Sequence, residues 1–418
     1  MKKSSGWFCC AEPPGFLYRC KHKEKEYMKM RKKFMSVLMV FALILGCVAC
    51  FSSCSQDENS DGTKNFLIGG IGPLTGDYAN YGISVRNGAQ IAIDELNEKN
   101  PDGLNGFRLT YSFQDSAANN DSAVSAYGKL IDMGMKVSLG ATLSGETASV
   151  VAAAKEDGIL VLTPSGSAIS AISGSANAFR VCFSDPAQGT SAADYISQYG
   201  LAKKVAVFYG SDNDYCVGLY NTFKTECAKK GIEIVEVQSF TSATATDFSA
   251  QISKIQASGA ELVFLPIYAA EAATFLTQAK GKLDNVKFFG CDGLDGLLTK
   301  LDKAETANGV IMMTPFNADS TKENVKNFVS KYKAKFGVTP DQFAADGYDA
   351  VYTVVAAMKQ AGVTADNMDN MNARLVEAMT KITLDGVTGT TTWTADGEPS
   401  KIAIAMVYQD GKTVEYTK

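Results

Sequence analysis

From residue 65 onward the chain alternates short apolar runs with segments whose apolar side chains recur every three or four positions. Phe66-Leu67-Ile68-Gly69-Gly70-Ile71 reads as a buried strand. The stretch 84–98 reads as a helix with Val85, Ala89, Ile91, Ala92, Ile93 and Leu96 on its inner side. A strand over 107–113 and a helix over 122–133 follow. Two strand-to-turn units come next. Val137-Ser138-Leu139 leads into Leu143-Ser144-Gly145-Glu146-Thr147 and a helix-like segment to Lys155, and Ile159-Leu160-Val161-Leu162 leads into Thr163-Pro164-Ser165-Gly166-Ser167. Residues 179–183 are extended, and Asp185-Pro186 reads as a break.

A second series then begins. It predicts helices over 191–199, 216–230, 248–257 and 270–280, and strands over 204–209, 233–240, 262–265, 287–289 and 310–314. Beyond Pro315 the pattern predicts helices over 322–336, 343–358 and 368–381, with β-like stretches at 390–393 and 402–408. Alternation of this kind predicts an α/β protein with doubly wound parallel sheets, and two series of similar size predict two lobes. The two strand-to-turn units would place backbone N–H groups and small hydroxyls at the carboxyl edge of one sheet. Open α/β sheets bind ligands there, and a helix start at that edge favours an anion.

The N-terminal region is of another kind. Met-Lys-Met-Arg-Lys-Lys precedes an apolar run over 34–51, the signature of an export signal rather than a membrane span. Residues 1–27 fit no part of such a signal, so the expected true start is Met28 or Met30. Ile44-Leu45-Gly46-Cys47 resembles a bacterial lipobox, and Cys54 is the alternative lipid-anchor candidate, being followed by a polar tether. The expected organisation is therefore a signal region over 1–54, a tether over 55–64, lobe 1 over 65–185 plus 315–403, and lobe 2 over 186–314 plus 404–418.

Without residues 1–54 the chain carries 30 basic and 42 acidic side chains, a net of −12. There is no basic stripe for nucleic acid. The single histidine, His22, lies before the lobes, so they can hold neither a Ser-His-Asp or Cys-His machinery nor an imidazole metal site. Cys182, Cys216, Cys227 and Cys291 show no CxxC spacing and are open to being buried thiols or disulfides. Gly70-Ile71-Gly72-Pro73-Leu74-Thr75-Gly76 is a poor dinucleotide fingerprint. Its third glycine comes a residue late, and Pro73 removes an N–H.

Gly72-Pro73-Leu74-Thr75-Gly76, Tyr81-Gly82, Gly88-Ala89-Gln90-Ile91-Ala92, Thr246-Asp247-Phe248-Ser249-Ala250-Gln251-Ile252 and Gly347-Tyr348-Asp349-Ala350 together resemble the leucine/isoleucine/valine-binding protein family over residues 65–410. These are extracytoplasmic substrate-binding subunits of ABC importers. The resemblance implies a type I periplasmic binding fold of two α/β lobes, joined by three crossovers near Asp185, Thr314 and Ala403, with the ligand between them. It implies a carboxylate grip at Ser144, Ser165 and Ser167. It also implies an ammonium partner at Asp292, in the turn Gly290-Cys291-Asp292-Gly293, and pocket aromatics at Tyr81, Tyr215 and Tyr268. Asp292 is one methylene shorter than the family's usual glutamate.

The implied function is capture without catalysis of a branched-chain amino acid, with no cofactor or metal. The implied partner is a membrane permease. The receptor is expected as a monomer, lipid-anchored on the extracytoplasmic face of the cell membrane or free in the periplasm. The alternatives are another amino acid, an amide-type ligand, or a ligand-sensing ectodomain.

Overall fold

The computed structural model describes Asn59 and residues 61–417; the signal region, both lipid-anchor candidates Cys47 and Cys54, and most of the tether lie outside the described residues. The stretch Ser60–Lys418 forms one compact unit. It contains two large sheets.

The first sheet is built from β1 (Lys64–Gly72), β2 (Phe107–Asp115), β3 (Val137–Ser138), β4 (Val161–Thr163) and β5 (Ala178–Arg180), in the order β2-β1-β3-β4-β5. Every pairing is parallel. The crossover helices are α1 (Ala79–Lys99), α2 (Asn120–Asp132), α3 (Ser144–Asp157) and the single turn α4 (Ile169–Ile172). Strand alternation sends Phe66, Ile68, Leu109 and Val137 to one apolar cluster, and Ile71 to another formed with α2 and α3.

The strands of the second sheet are β6 (Lys204–Gly210), β7 (Glu233–Phe240), β8 (Leu262–Leu265), β9 (Lys287–Gly290), β10 (Ile311–Thr314), β13 (Ile404–Gln409) and β14 (Lys412–Glu415). They run in the order β14-β13-β10-β9-β8-β6-β7. Helices α5 (Asp185–Gln198), α6 (Asp214–Lys230), α7 (Ser249–Ala257) and α8 (Ala269–Ala279) cover it. The pairings among β6 to β10 are parallel, as expected. The strands β13 and β14 instead add an antiparallel hairpin beyond β10. A short return of this kind needs no helix, so a period search for βα units does not find it.

Between β10 and β13 the chain returns to the first sheet with α9 (Glu323–Phe336), α10 (Gln342–Gln360), α11 (Met371–Met379) and a small hairpin, β11 (Thr383–Gly386) and β12 (Gly389–Thr392). Helix α10 lies tightly on α1, because a Cβ at Gly88 or Gly347 would run into the carbonyls of Ala344 and Val85. Three segments thus cross between the sheets, over 181–184, 315–322 and 393–403.

One expectation changes in kind. Asp185-Pro186 is not a break but the first turn of α5, with proline where a helix needs no N–H. The helix therefore begins six residues earlier than its apolar pattern suggests. Helix α1 likewise takes in Tyr81-Gly82, and α11 is shorter than the expected 368–381.

Candidate functional site

The ends of β3 and β4 lie side by side, and each feeds a turn rich in hydroxyls. Those hydroxyls first serve the backbone. Thr147 Oγ1 and Thr163 Oγ1 both donate to the Ala141 carbonyl at 2.8 Å, and Ser165 Oγ donates to the Thr142 carbonyl at 2.7 Å. Gly166 sits so close to Thr147 and Thr163 that no side chain fits there. Ser144 is the first residue of α3, and its hydroxyl oxygen accepts from the Ala168 amide at 3.1 Å. The helix starts after Leu143 with no side-chain cap, which leaves its first N–H groups for another acceptor. The structure therefore gathers Ser144, Ser165 and Ser167, all buried, at one sheet edge. In the same first turn, burial pushes Glu146 up to about 7, against the Ser116 hydroxyl and the Leu143 amide.

The second sheet contributes an acid. Asp292 opens the 3-10 turn Asp292–Leu294 just after β9 and is buried. Tyr215 donates to Asp292 Oδ1 at 2.7 Å, and the same hydroxyl accepts from the Gly293 amide at 2.8 Å. The Asp292 amide donates to Gln188 at 3.1 Å. Burial raises this carboxyl to about 6 despite the Tyr215 hydroxyl, which pulls the other way. Tyr215 stacks on Tyr268 with ring centroids 4.8 Å apart.

Tyr81 comes from α1, yet its hydroxyl donates to the Gly293 carbonyl at 2.7 Å and accepts from the Ala269 amide at 2.8 Å. It bridges the two sheet units beside Asp292. Further ties cross there: Tyr78 to Glu271, Ser170 to Asp214, and the Gln342 amide to Asp295. The hydroxyls of Tyr81 and Tyr215 are thus committed to protein partners, and their rings, with Tyr268, are what they offer as a wall.

Sequence reasoning missed the other buried polar groups. Neither carboxylate oxygen of Asp185 closes a hydrogen bond, although Ser167 is close enough to favour its charged form; burial pushes it well up. Asp346 is also fully buried with both oxygens unpaired and raised by burial, with Lys401 the cation that opposes the shift. The Gln342 side-chain amide lies beside Asp292 without closing a hydrogen bond. A signal for the last two existed. Gln342, Asp346, Asp349 and Thr353 form a polar stripe at helical spacing, all buried, on an otherwise apolar α10. Asp185 was hidden because an acid before a proline looks like a turn. Cys182, Cys216, Cys227 and Cys291 are free, buried thiols, and no group of three metal-ligating side chains occurs among the described residues. No helix among the described residues is long and apolar enough to cross a membrane.

Comparison with known proteins places these residues in context. Residues 66–412 match the model of a family described as periplasmic binding protein. A Leu/Ile/Val-binding protein homolog from Brucella melitensis is 30% identical over 358 residues, covering 84% of this chain and 93% of the relative. Among solved structures, the branched-chain amino acid transporter substrate-binding protein LivJ from Streptococcus pneumoniae, in complex with isoleucine, superposes with a TM-score of 0.76 at 28% identity, covering 84% of this chain and 98% of that one. The leucine-binding protein LivK from Thermotoga maritima gives 0.75 at 25% identity, over 84% and 98% of the two chains.

Proposed function

This chain belongs to the periplasmic binding protein family, and from that premise we propose that it is a receptor that captures a branched-chain amino acid and delivers it to an ABC importer. One observation carries the reading. An uncapped helix start with buried serines and a buried carboxyl held by Tyr215 belong to two sheet units that Tyr81 ties together. Helix-start N–H groups and the hydroxyls of Ser144 and Ser167 suit a carboxylate, with Ser165 joining them if its proton leaves the Thr142 carbonyl; Asp292 suits an ammonium, and tyrosine rings suit an aliphatic chain between them.

In this reading the sheet units are lobes, 65–185 plus 315–403 and 186–314 plus 404–418, which close over the ligand about the three crossing segments. The ligand favours the closed arrangement because only there does it meet both halves. The closed receptor then docks on a membrane permease. It works as a monomer without cofactor or catalysis, outside the cytoplasm, held to the membrane through a lipid on Cys47 or Cys54.

A second reading, a polar or amide-type ligand, is favoured by Asp346 and Gln342, whose buried polar atoms would welcome further donors. Calorimetry with a panel of amino acids and amides separates the two. Micromolar or tighter binding of leucine, isoleucine or valine supports the first reading; binding confined to polar ligands replaces it with the second. Turnover of any bound ligand would end both.

A further inference from the structure

Arg180 ends β5 and is fully buried. Its Nη1 donates to the carbonyl of Gly166 at 2.9 Å and also to that of Ser167, the two peptides at the heart of the second turn. Its Nη2 lies 3.1 Å from Glu398 Oε1. Glu398 sits on the third crossing segment, whose first half is docked on β5 at Trp393 and Gly397. The Trp393 indole donates to the Arg180 carbonyl at 2.7 Å, and the Arg180 amide donates to the Gly397 carbonyl at 3.1 Å. Gly397, at φ +80°, comes so near the Ala178 carbonyl that a side chain would collide with it.

The carbonyls that Arg180 holds belong to the peptides whose N–H groups are those of Ser167 and Ala168. In a trans peptide the N–H points opposite to the C=O, so drawing both carbonyls onto the guanidinium turns both N–H groups the other way. A cation on the carbonyl also polarises the peptide and makes its N–H a stronger donor. The Ala168 N–H goes to Ser144 Oγ, which leaves the Ser144 hydroxyl proton as a donor to something else.

We propose that the Arg180–Glu398 pair is a positioning device for the ligand carboxylate: it orients and polarises the Gly166–Ala168 peptides so that Ser144 and the Ser167 amide grip that carboxylate. Glu398 neutralises a guanidinium that has no water to turn to, and so keeps it on the two carbonyls. The third crossing segment is thereby part of the binding site without touching ligand. The inference rests on the amino-acid reading above.

Its test compares L-leucine with L-leucinamide, which keeps the ammonium and side chain but lacks the carboxylate charge, by direct and competitive calorimetry. In Glu398→Gln, leucine is expected to bind about tenfold more weakly while leucinamide stays within about twofold, because only the carboxylate senses the polarised peptides. Arg180→Lys should move the ratio the same way. Glu398 is partly exposed, so its variant serves even if the arginine variant does not fold. Equal weakening of both ligands would make the pair a structural brace and overturn the proposal, as would unchanged binding of both. If the unaltered protein binds no amino acid at all, the functional reading falls first and this one with it.

Discussion

Replacing Asp292 by asparagine removes one charge and little else. Asparagine keeps the volume and an oxygen for the Tyr215 hydroxyl, which donates at 2.7 Å, and leaves the Asp292 amide bond to Gln188 untouched. What is lost, on the proposed reading, is the partner of the ligand ammonium in a buried site. Removing one member of a buried ion pair costs about 3–5 kcal/mol, roughly a hundredfold to a few thousandfold in affinity. The same residue sets a pH signature. Burial raises its free-state pKa from the ordinary 3.8 to about 6, and a bound ammonium must lower it again. Ligand binding therefore expels a proton below that pH, and affinity falls as pH falls. At pH 5 unaltered protein should bind leucine about tenfold more weakly than at pH 7, whereas Asp292→Asn should be weak and show no loss of affinity toward pH 5. Isothermal titration between pH 5 and 7.5 reads both quantities. Retained affinity in the variant, or a flat profile in the unaltered protein, would refute the assignment of Asp292 to the ammonium.

Glu146 should govern the opposite limb. Its carboxyl titrates at about 7 within the first turn of α3, so its ionisation at higher pH opposes a ligand carboxylate, and Glu146→Gln should flatten the loss of affinity between pH 7 and 8.5 in the same titration. Tyr81→Phe leaves the Gly293 carbonyl and Ala269 amide without their bridge, at a cost of about 1–3 kcal/mol to the closed form. About tenfold weaker binding is expected, with a larger radius of gyration by X-ray scattering at matched ligand saturation; an unchanged radius would count against the bridge. Burial holds both Asp295 and Asp341 above their ordinary values, and the charge of Asp341 adds to the shift of Asp295, which reaches about 7. Stability is therefore full below about pH 4 and is lost progressively as pH rises from there to about 7. Asp341→Asn keeps the Ser84 and Ala344 contacts and should raise Tm by about 2 °C at pH 8, by less at pH 5, and leave it unchanged at about pH 3.5.

The fold was largely legible because parallel α/β sheets write themselves as alternating periods: Phe66-Leu67-Ile68 for a strand, Val85 through Leu96 for a helix. Boundaries were legible only where a local rule set them. The Asp185 start of α5 depends on a proline tolerated in a first turn, and the β13–β14 hairpin has no helical partner to announce it. The candidate site divides in the same way. The turn Leu143-Ser144-Gly145 stands out in the sequence because its composition is local, whereas Cys291-Asp292-Gly293 is marked only by the family resemblance. Arg180 holds the Gly166 and Ser167 carbonyls, and that contact exists only once β5 lies beside β4. Asp346 is legible only as part of the polar stripe Gln342, Asp346, Asp349 and Thr353; that its carboxylate is buried without a partner emerges only in the folded chain.

The antiparallel hairpin has a consequence for how the chain must be made. Strand β10 is hydrogen-bonded to β9 on one side and to β13 on the other, and β13 is separated from it by about ninety residues whose helices and small hairpin lie with the first sheet. Without residues 404–415, β10 would be a bare edge with one side of its backbone unpaired. A chain cut just before Ile404 would keep every side chain of the candidate site and still present a sticky strand, Ile-Met-Met-Thr, to its neighbours. The C-terminal hairpin thus acts as an edge guard, and ribosome stalling or C-terminal trimming there should yield aggregates rather than a shortened receptor.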